Sequence, residues 1–387
     1  MKILYIGKYP PILSGEGNKA YWLLNALAKR GHKIRVLTNS MEVEEHYRAK
    51  LSQEDTERMV SENLSIISTN KSIPHKFIPQ NNPFLEKLIS LGLEEVKAFD
   101  PDVIFSWYLV PYGVAGYSIS RFTEKPHITQ HAGSDISFLY EHPFLHTLLK
   151  EVLIKSKGVI TYKGVEEFIR SIGANPLIHT PCFPNEFNPF EEKLNLLELT
   201  GSKEFDDENS LLFLGKITKS KGLDYLISAM EYMKPNVNLI VAGNGPLKNF
   251  NEDLVRENNL EKRVKFIGIL PPWRIPSLIR SVKTVVIPEY NFGVPIHQSG
   301  IPYESMLCGV RPIVSEQIRG KYKDPSNMIK FVNPADREGF AKAVEESIFI
   351  DSTDNNAKES YDKLRGAIGH HSSYVDQIQD HLLKFKD

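Results

Sequence analysis

Twice along this chain, short apolar runs alternate with helix-length segments, and a proline-rich break separates the two series. The first series has its runs at Ile3–Ile6, Ile34–Leu37, Leu64–Ile67, Val103–Trp107, Ile128–Thr129 and Val159–Tyr162. Short runs without polar alternation fit strands buried on both faces. Stretches between them, such as Pro83–Phe99 and His142–Lys155, carry helix periodicity. An opening helix runs through Tyr21, Leu24 and Ala28 and ends at Arg30-Gly31, where the glycine suits a left-handed cap. Strands separated by helices imply right-handed crossovers and a parallel sheet. The plan restarts with strands at Leu211–Leu214, Leu239–Ala242, Val264–Ile267, Val285–Ile287 and Pro312–Val314, and with helices at Gly222–Met233 and Glu252–Asn258. The expected fold is α/β, two doubly wound parallel-sheet domains facing an interdomain cleft where such sheets bind ligands.

The break holds Pro181, Pro184 and Pro189, which suit a stiff connector and not an element interior. At roughly 150 residues per domain, a chain of 387 residues accommodates two cores. The boundaries predicted are 1–183 for a first domain, 184–360 for a second, and 361–387 for a C-terminal helix packing back on the first. The stretch Lys358 to Asp387 reads as one amphipathic helix with Ile378, Leu382, Leu383 and Phe385 on its apolar side.

Charge narrows the partners. Lys plus Arg total 47 against 48 Asp plus Glu, so the basic excess expected of a nucleic-acid binder is missing. Two cysteines, Cys182 and Cys308, are too few for a disulfide framework, and a reducing compartment fits. The opening Met1-Lys2-Ile3-Leu4 has a strand's pattern and not a signal peptide's, and no apolar run has bilayer length. The expected location is cytoplasmic, with peripheral contact at the inner face of the membrane left open.

Five segments offer chemistry. Residues 7–17 place Ser14 and Gly15 ahead of a helix, where backbone N–H groups approach an anion; a plain crossover turn is the alternative. This loop lacks the compact G-x-G-x-x-G, which disfavours a nicotinamide enzyme. His131-Ala132-Gly133-Ser134-Asp135 follows a strand directly, so His131 stands at a strand tip, either as a proton-handling group or as a structural imidazole with Asp135 capping the next helix. Gly215 to Asp224 carries Lys216 and Lys221, either a diphosphate site or a solvated lysine cluster. Gly243-Asn244-Gly245-Pro246 closes the next strand as a tight turn. Pro288 to Gly309 includes Glu289, Phe292, Gly293 and Glu304, the last able to accept from both hydroxyls of a ribose or merely favourable in a first helical turn.

In this order, these pieces resemble the family-4 retaining glycosyltransferases of the GT-B fold, which pairs two Rossmann-like domains. The likeness covers nearly the whole chain. Ser14-Gly15 stands at the family's double glycine and Arg30-Gly31-His32 at its helix ending. His131, Gly133 and Asp135 resemble its H-G-x-D segment, with Ala132 as an extra residue. Gly215 to Gly222 looks like its phosphate site, with Lys216 in place of an arginine, and Gly243 to Pro246 looks like its G-x-G-P turn. Glu304 matches the second of the family's two glutamates. The first falls at Tyr290, two residues before Phe292-Gly293, with Glu289 adjacent.

The resemblance implies transfer of a hexose-type sugar from a nucleoside diphosphate with retention of configuration. The acceptor is a polysaccharide, glycolipid or other glycoconjugate, and no cofactor or essential metal is expected. His131, Lys216 and Lys221 are the expected catalytic residues. Ser14, Gly15, Gly215, Gly243, Gly245, Glu289, Phe292, Gly293 and Glu304 bind the donor, and Asp135 lies on the acceptor side. Loss of Lys221 is expected to leave folding intact and remove most activity. A nucleotide-sugar epimerase of the same fold and a catalytically silent sugar-nucleotide-binding protein are the rival readings.

Overall fold

The computed structural model describes residues 1–43, 45–71, 83–180, 183–290, 299–322, 324, 327–349 and 357–386. The chain divides into two compact units, Met1–Cys182 with His371–Asp387, and Phe183–Gly293 with Gln298–His370. Each has its own parallel sheet.

The first sheet contains β1 (Lys2–Ile6), β2 (Lys33–Thr38), β3 (Leu64–Ser68), β4 (Val103–Trp107), β5 (His127–Gln130), β6 (Gly158–Tyr162) and β7 (Pro176–His179). Its seven strands run in the order β3-β2-β1-β4-β5-β6-β7. Every pairing is parallel, with Ile3 beside both Ile34 and Val103. All five residues of β4 are buried, as expected where helices cover both faces. The strand order reverses between β1 and β4, the place where a doubly wound sheet opens a crevice at its carboxyl edge.

The second sheet contains β8 (Ser210–Leu214), β9 (Asn238–Ala242), β10 (Val264–Gly268), β11 (Thr284–Ile287), β12 (Arg311–Ser315) and β13 (Lys330–Val332), in the order β10-β9-β8-β11-β12-β13. Here the reversal falls between β8 and β11. Successive residues of β8 serve opposite cores. Leu211 and Phe213 pack with Leu226 and Val344 on one face, and Leu212 packs with Ile279 and Met306 on the other. Each such side chain contributes about 1.5–3 kcal/mol by leaving water.

Helix Gly15–Lys29 ends as its sequence predicts. Gly31 has φ +85°, and the N–H of His32 reaches back to the carbonyl of Leu27 at 3.2 Å. The carboxyl-terminal stretch departs from expectation. It is two helices, Ala357–Ile368 and His371–Leu383, parted at Gly369 with φ +105°. An L-residue rarely adopts that backbone angle, so the glycine ends the first helix and lets the second turn away. The first lies in the second unit against helix Ile301–Leu307, and the second lies in the first unit against β7 and helix Gly15–Lys29. Among the described residues, no helix is long and apolar enough to cross a membrane.

Candidate functional site

In the second unit, three loops meet at the carboxyl edge of the sheet around the β8/β11 reversal. The turns after β8 and β9 are joined backbone to backbone. Gly215 donates to Ala242 O at 3.0 Å, Ile217 donates to Asn244 O at 2.9 Å, and Leu247 returns a bond to Ile217 O at 3.2 Å. Gly243 has φ +152°, and a methyl there would stand 1.8 Å from the carbonyl oxygen of Gly215. Only glycine permits this approach, and it draws Gly215, Gly243 and Gly245 into one rim. Gly222, with φ +69°, is similarly required, because a methyl would meet Pro288 O at 2.1 Å.

That second contact brings the loop after β8 against the loop after β11. Tyr290 donates its backbone N–H to Ser220 O at 2.9 Å, and its ring packs 5.3 Å from that of Tyr225. Tyr290 thus packs on the helix Leu223–Ala229, and the neighbouring Glu289 is buried. It forms an ion pair with Lys221, whose side chain is 15% exposed against 2% for Glu289. Sequence alone left Glu289 and Tyr290 competing for the same place. The backbone places Glu289 beside the lysine. Burial and then the Glu289 charge push the Tyr322 hydroxyl well above its ordinary pKa.

Lys216, two residues beyond β8, is exposed. Glu304 is half-buried on helix Ile301–Leu307, with its carboxylate folded back over Gly300. Phe292 and Gly293 lie outside the described residues. Among the described residues, no cluster of three or more His, Cys, Asp or Glu side chains is arranged to hold a metal ion.

The first unit gathers the loops after β1, β4 and β5. Ser14 caps helix Gly15–Lys29 from an extended backbone, its Oγ accepting from the N–H of Gly17 at 2.7 Å. Its side chain is therefore committed to the helix. Gly15 is exposed at the helix start, with no heavy atom within 4 Å of where a methyl would stand. Lys8 pairs with Glu16 at 3.6 Å and lies over the Tyr108 ring at 4.5 Å, joining the β1 loop to the β4 loop. The sequence reading passed over Lys8. Its position two residues past the end of β1 was the available signal.

Asp135 joins the β4 and β5 loops. Its carboxylate accepts from the N–H groups of Ala132 at 2.9 Å, Ile136 at 3.0 Å and Leu109 at 3.0 Å. Burial raises its pKa to about 6, against the pull of those three donors. Being fully buried, it shapes the loop and offers no surface of its own. His131 is also buried. Its Nδ1 accepts from Gly133 N–H at 3.2 Å, so the proton sits on Nε2, which donates to Thr161 Oγ1 at 2.7 Å. Burial lowers its pKa to about 4, leaving a neutral ring at pH 7.

Both units thus place glycine-rich turns and charged side chains at the carboxyl ends of the strands flanking a reversal. Residues 198–358 match the family model described as Glycosyl transferases group 1. An uncharacterized glycosyltransferase of Methanocaldococcus jannaschii is 26% identical over 353 residues, covering 84% of this chain and 86% of that protein. Among solved structures, sucrose-phosphate synthase from Thermosynechococcus elongatus superposes with a TM-score of 0.71 at 16% identity, covering 100% of this chain and 99% of that one. Anabaena HepE in complex with UDP and glucose gives 0.70 at 15% identity, covering 99% of each. The structural likeness shows the fold, two Rossmann-like parallel-sheet units of the GT-B type. The family model and the relative are both described as glycosyltransferases.

Proposed function

We propose that this chain transfers a hexose-type sugar from a nucleoside diphosphate to a hydroxyl of a glycan or lipid-linked acceptor, with retention of configuration. The observation that carries the reading is the rim of Gly215, Gly243 and Gly245 set beside the buried Lys221–Glu289 pair at the β8/β11 reversal. Close backbone approach and a water-poor cation suit a diphosphate, whose charge grows as it departs. HepE, of the same fold, holds UDP and glucose.

In the proposed reaction, the acceptor oxygen bonds to the anomeric carbon as the bond from that carbon to the diphosphate oxygen breaks. The acceptor proton passes to the departing phosphate, on the face from which that group leaves. Lys221 and Lys216 meet the developing negative charge, and Glu289 and Glu304 take donor hydroxyls. The neutral His131 has its Nδ1 lone pair occupied by Gly133 and its Nε2 proton by Thr161, so it is assigned to hold its loop in place and not to remove a proton.

A thermal-shift panel of uridine, guanosine and adenosine sugar nucleotides tests this reading. One donor should raise the unfolding midpoint in a concentration-dependent manner. That donor should release its nucleoside diphosphate only as sugar reaches an acceptor. Stabilisation by none of them would defeat the proposal, and conversion of the sugar nucleotide with no acceptor present would mark an epimerase instead.

A further inference from the structure

We propose that Tyr374, on the helix His371–Leu383, is a positioning residue for His131, acting through an unbroken row of rings. The Tyr374 ring lies 5.2 Å from His179, His179 lies 6.5 Å from Tyr162, and Tyr162 lies 5.3 Å from His131. The middle of the row is fixed by sheet register, since Tyr162 of β6 stands beside His179 of β7. At its inner end, Thr161 takes the hydrogen bond from His131 and adjoins Tyr162 in β6. Besides the Gly133 N–H, two contacts therefore set the imidazole, and both belong to one strand.

The helix is well placed to hold the outer end. β7 is the last strand of its sheet, with one side of its backbone unpaired by any strand among the described residues. Gln377 accepts from the N–H of Thr180 at 2.9 Å, and His381 Nε2 donates to Ile178 O at 2.8 Å. Residues four apart on a helix share a face, so this pair spans the strand end as a clamp. The same helix is anchored by Asp376 on Arg30 at 2.8 Å and by Gln379 on His32 at 3.1 Å. Tyr374 itself is buried, with its ring against His179. A side chain over 240 positions from His131 in sequence thus bears on the ring that the proposed reaction uses. The catalytic part of this inference rests on that proposal, whereas the positioning part does not.

The experiment separates them by reading His131 directly. Long-range proton–nitrogen NMR of the intact chain should show a neutral Nε2–H imidazole for His131, with ring-to-ring NOEs along Tyr374, His179, Tyr162 and His131. In Tyr374→Leu the His131 ring signals should move, and nucleoside diphosphate release from the stabilising donor should fall about tenfold, within the usual range for couplings through packed side chains. The affinity for that donor should stay within about twofold, since the change is in the other unit. Tyr374→Phe keeps the ring and should restore both the signals and the rate. Unchanged His131 signals in Tyr374→Leu, or a Phe variant no better than Leu, would overturn the proposal. Missing wild-type NOEs would do so whether or not the variants fold. A wild-type chain that releases nothing from any donor would defeat the proposed function while leaving the NMR result to decide the positioning.

Discussion

Lys221 and Glu289, drawn together from the loops after β8 and β11, form an ion pair that water barely reaches. An isolated carboxylate at the place of Glu289 would be costly to bury, so the lysine stabilises the site before any ligand arrives.

Replacing Lys221 alone therefore has two effects. Lys221→Met leaves Glu289 buried without its ammonium, a change that costs about 3–5 kcal/mol in such pairs. For a folding unit of roughly 150–250 residues, each kcal/mol lowers the unfolding temperature by roughly 2–4 °C. This revises the expectation that loss of Lys221 would spare folding. Adding Glu289→Gln removes the second charge, so the double variant should regain most of the lost stability while donor binding stays absent. Thermal unfolding with and without the stabilising donor checks both points. A double variant as unstable as the single one would refute the account of the pair.

Two glycines with opposite surroundings give a paired test. Gly243→Ala forces a methyl to 1.8 Å from Gly215 O and should collapse the rim, lowering stability and donor affinity together. Gly15→Ala meets nothing within 4 Å and lies at a helix start, so stability should hold or rise. If an anion approaches this backbone, Gly15→Ala should still slow turnover about tenfold, the scale of one impaired hydrogen bond to a charged group. Full activity in a stable Gly15→Ala variant would remove Gly15 from the site.

The first unit should be acid-sensitive. Burial lowers His131 to about 4, and His127 and His179 each to about 3, from an ordinary 6.5. Between those values and 6.5 the unfolded chain binds protons that the folded chain refuses, so stability falls as pH falls through that window. Asp135 acts oppositely. With its pKa raised from 3.8 to about 6, its burial is least costly when protonated, and acidification across that interval stabilises the fold. Three histidines outweigh one aspartate, and each net proton is worth about 1.4 kcal/mol per pH unit. The unfolding midpoint should drop steadily from pH 6.5 to 4. A flat profile would mean that these imidazoles are solvated.

Eleven strands were legible because continuous apolar runs leave little alternative to burial on both faces. The two that were missed sit at sheet edges. β7 begins with Pro176 and exposes Ile178, and its support comes from Gln377 and His381, far along the chain. β13 spans three residues, Lys330–Val332, too few to show a period. The break at Gly369 was hidden because apolar spacing continues on both sides, and one glycine inside a helical pattern is often tolerated. At the site, the glycines announced themselves through their spacing. The pairing of Lys221 with Glu289 did not, because the two come from loops 68 positions apart, and no local pattern encodes their meeting. Asp135 was recognisable as part of a motif, but its three backbone partners include Leu109, supplied by another strand's loop.

The clamp of Gln377 and His381 on β7 sets an order of events during synthesis. A ribosome has made β1 through β7 well before it reaches residue 371, and at about 5–20 residues per second the interval is roughly 10–40 s. During that time the outer strand has bare amides and carbonyls, an invitation to pair with a neighbouring nascent chain. The first unit to emerge is thus the last to be completed, and a ribosome that stalls within the second unit would leave an adhesive intermediate behind.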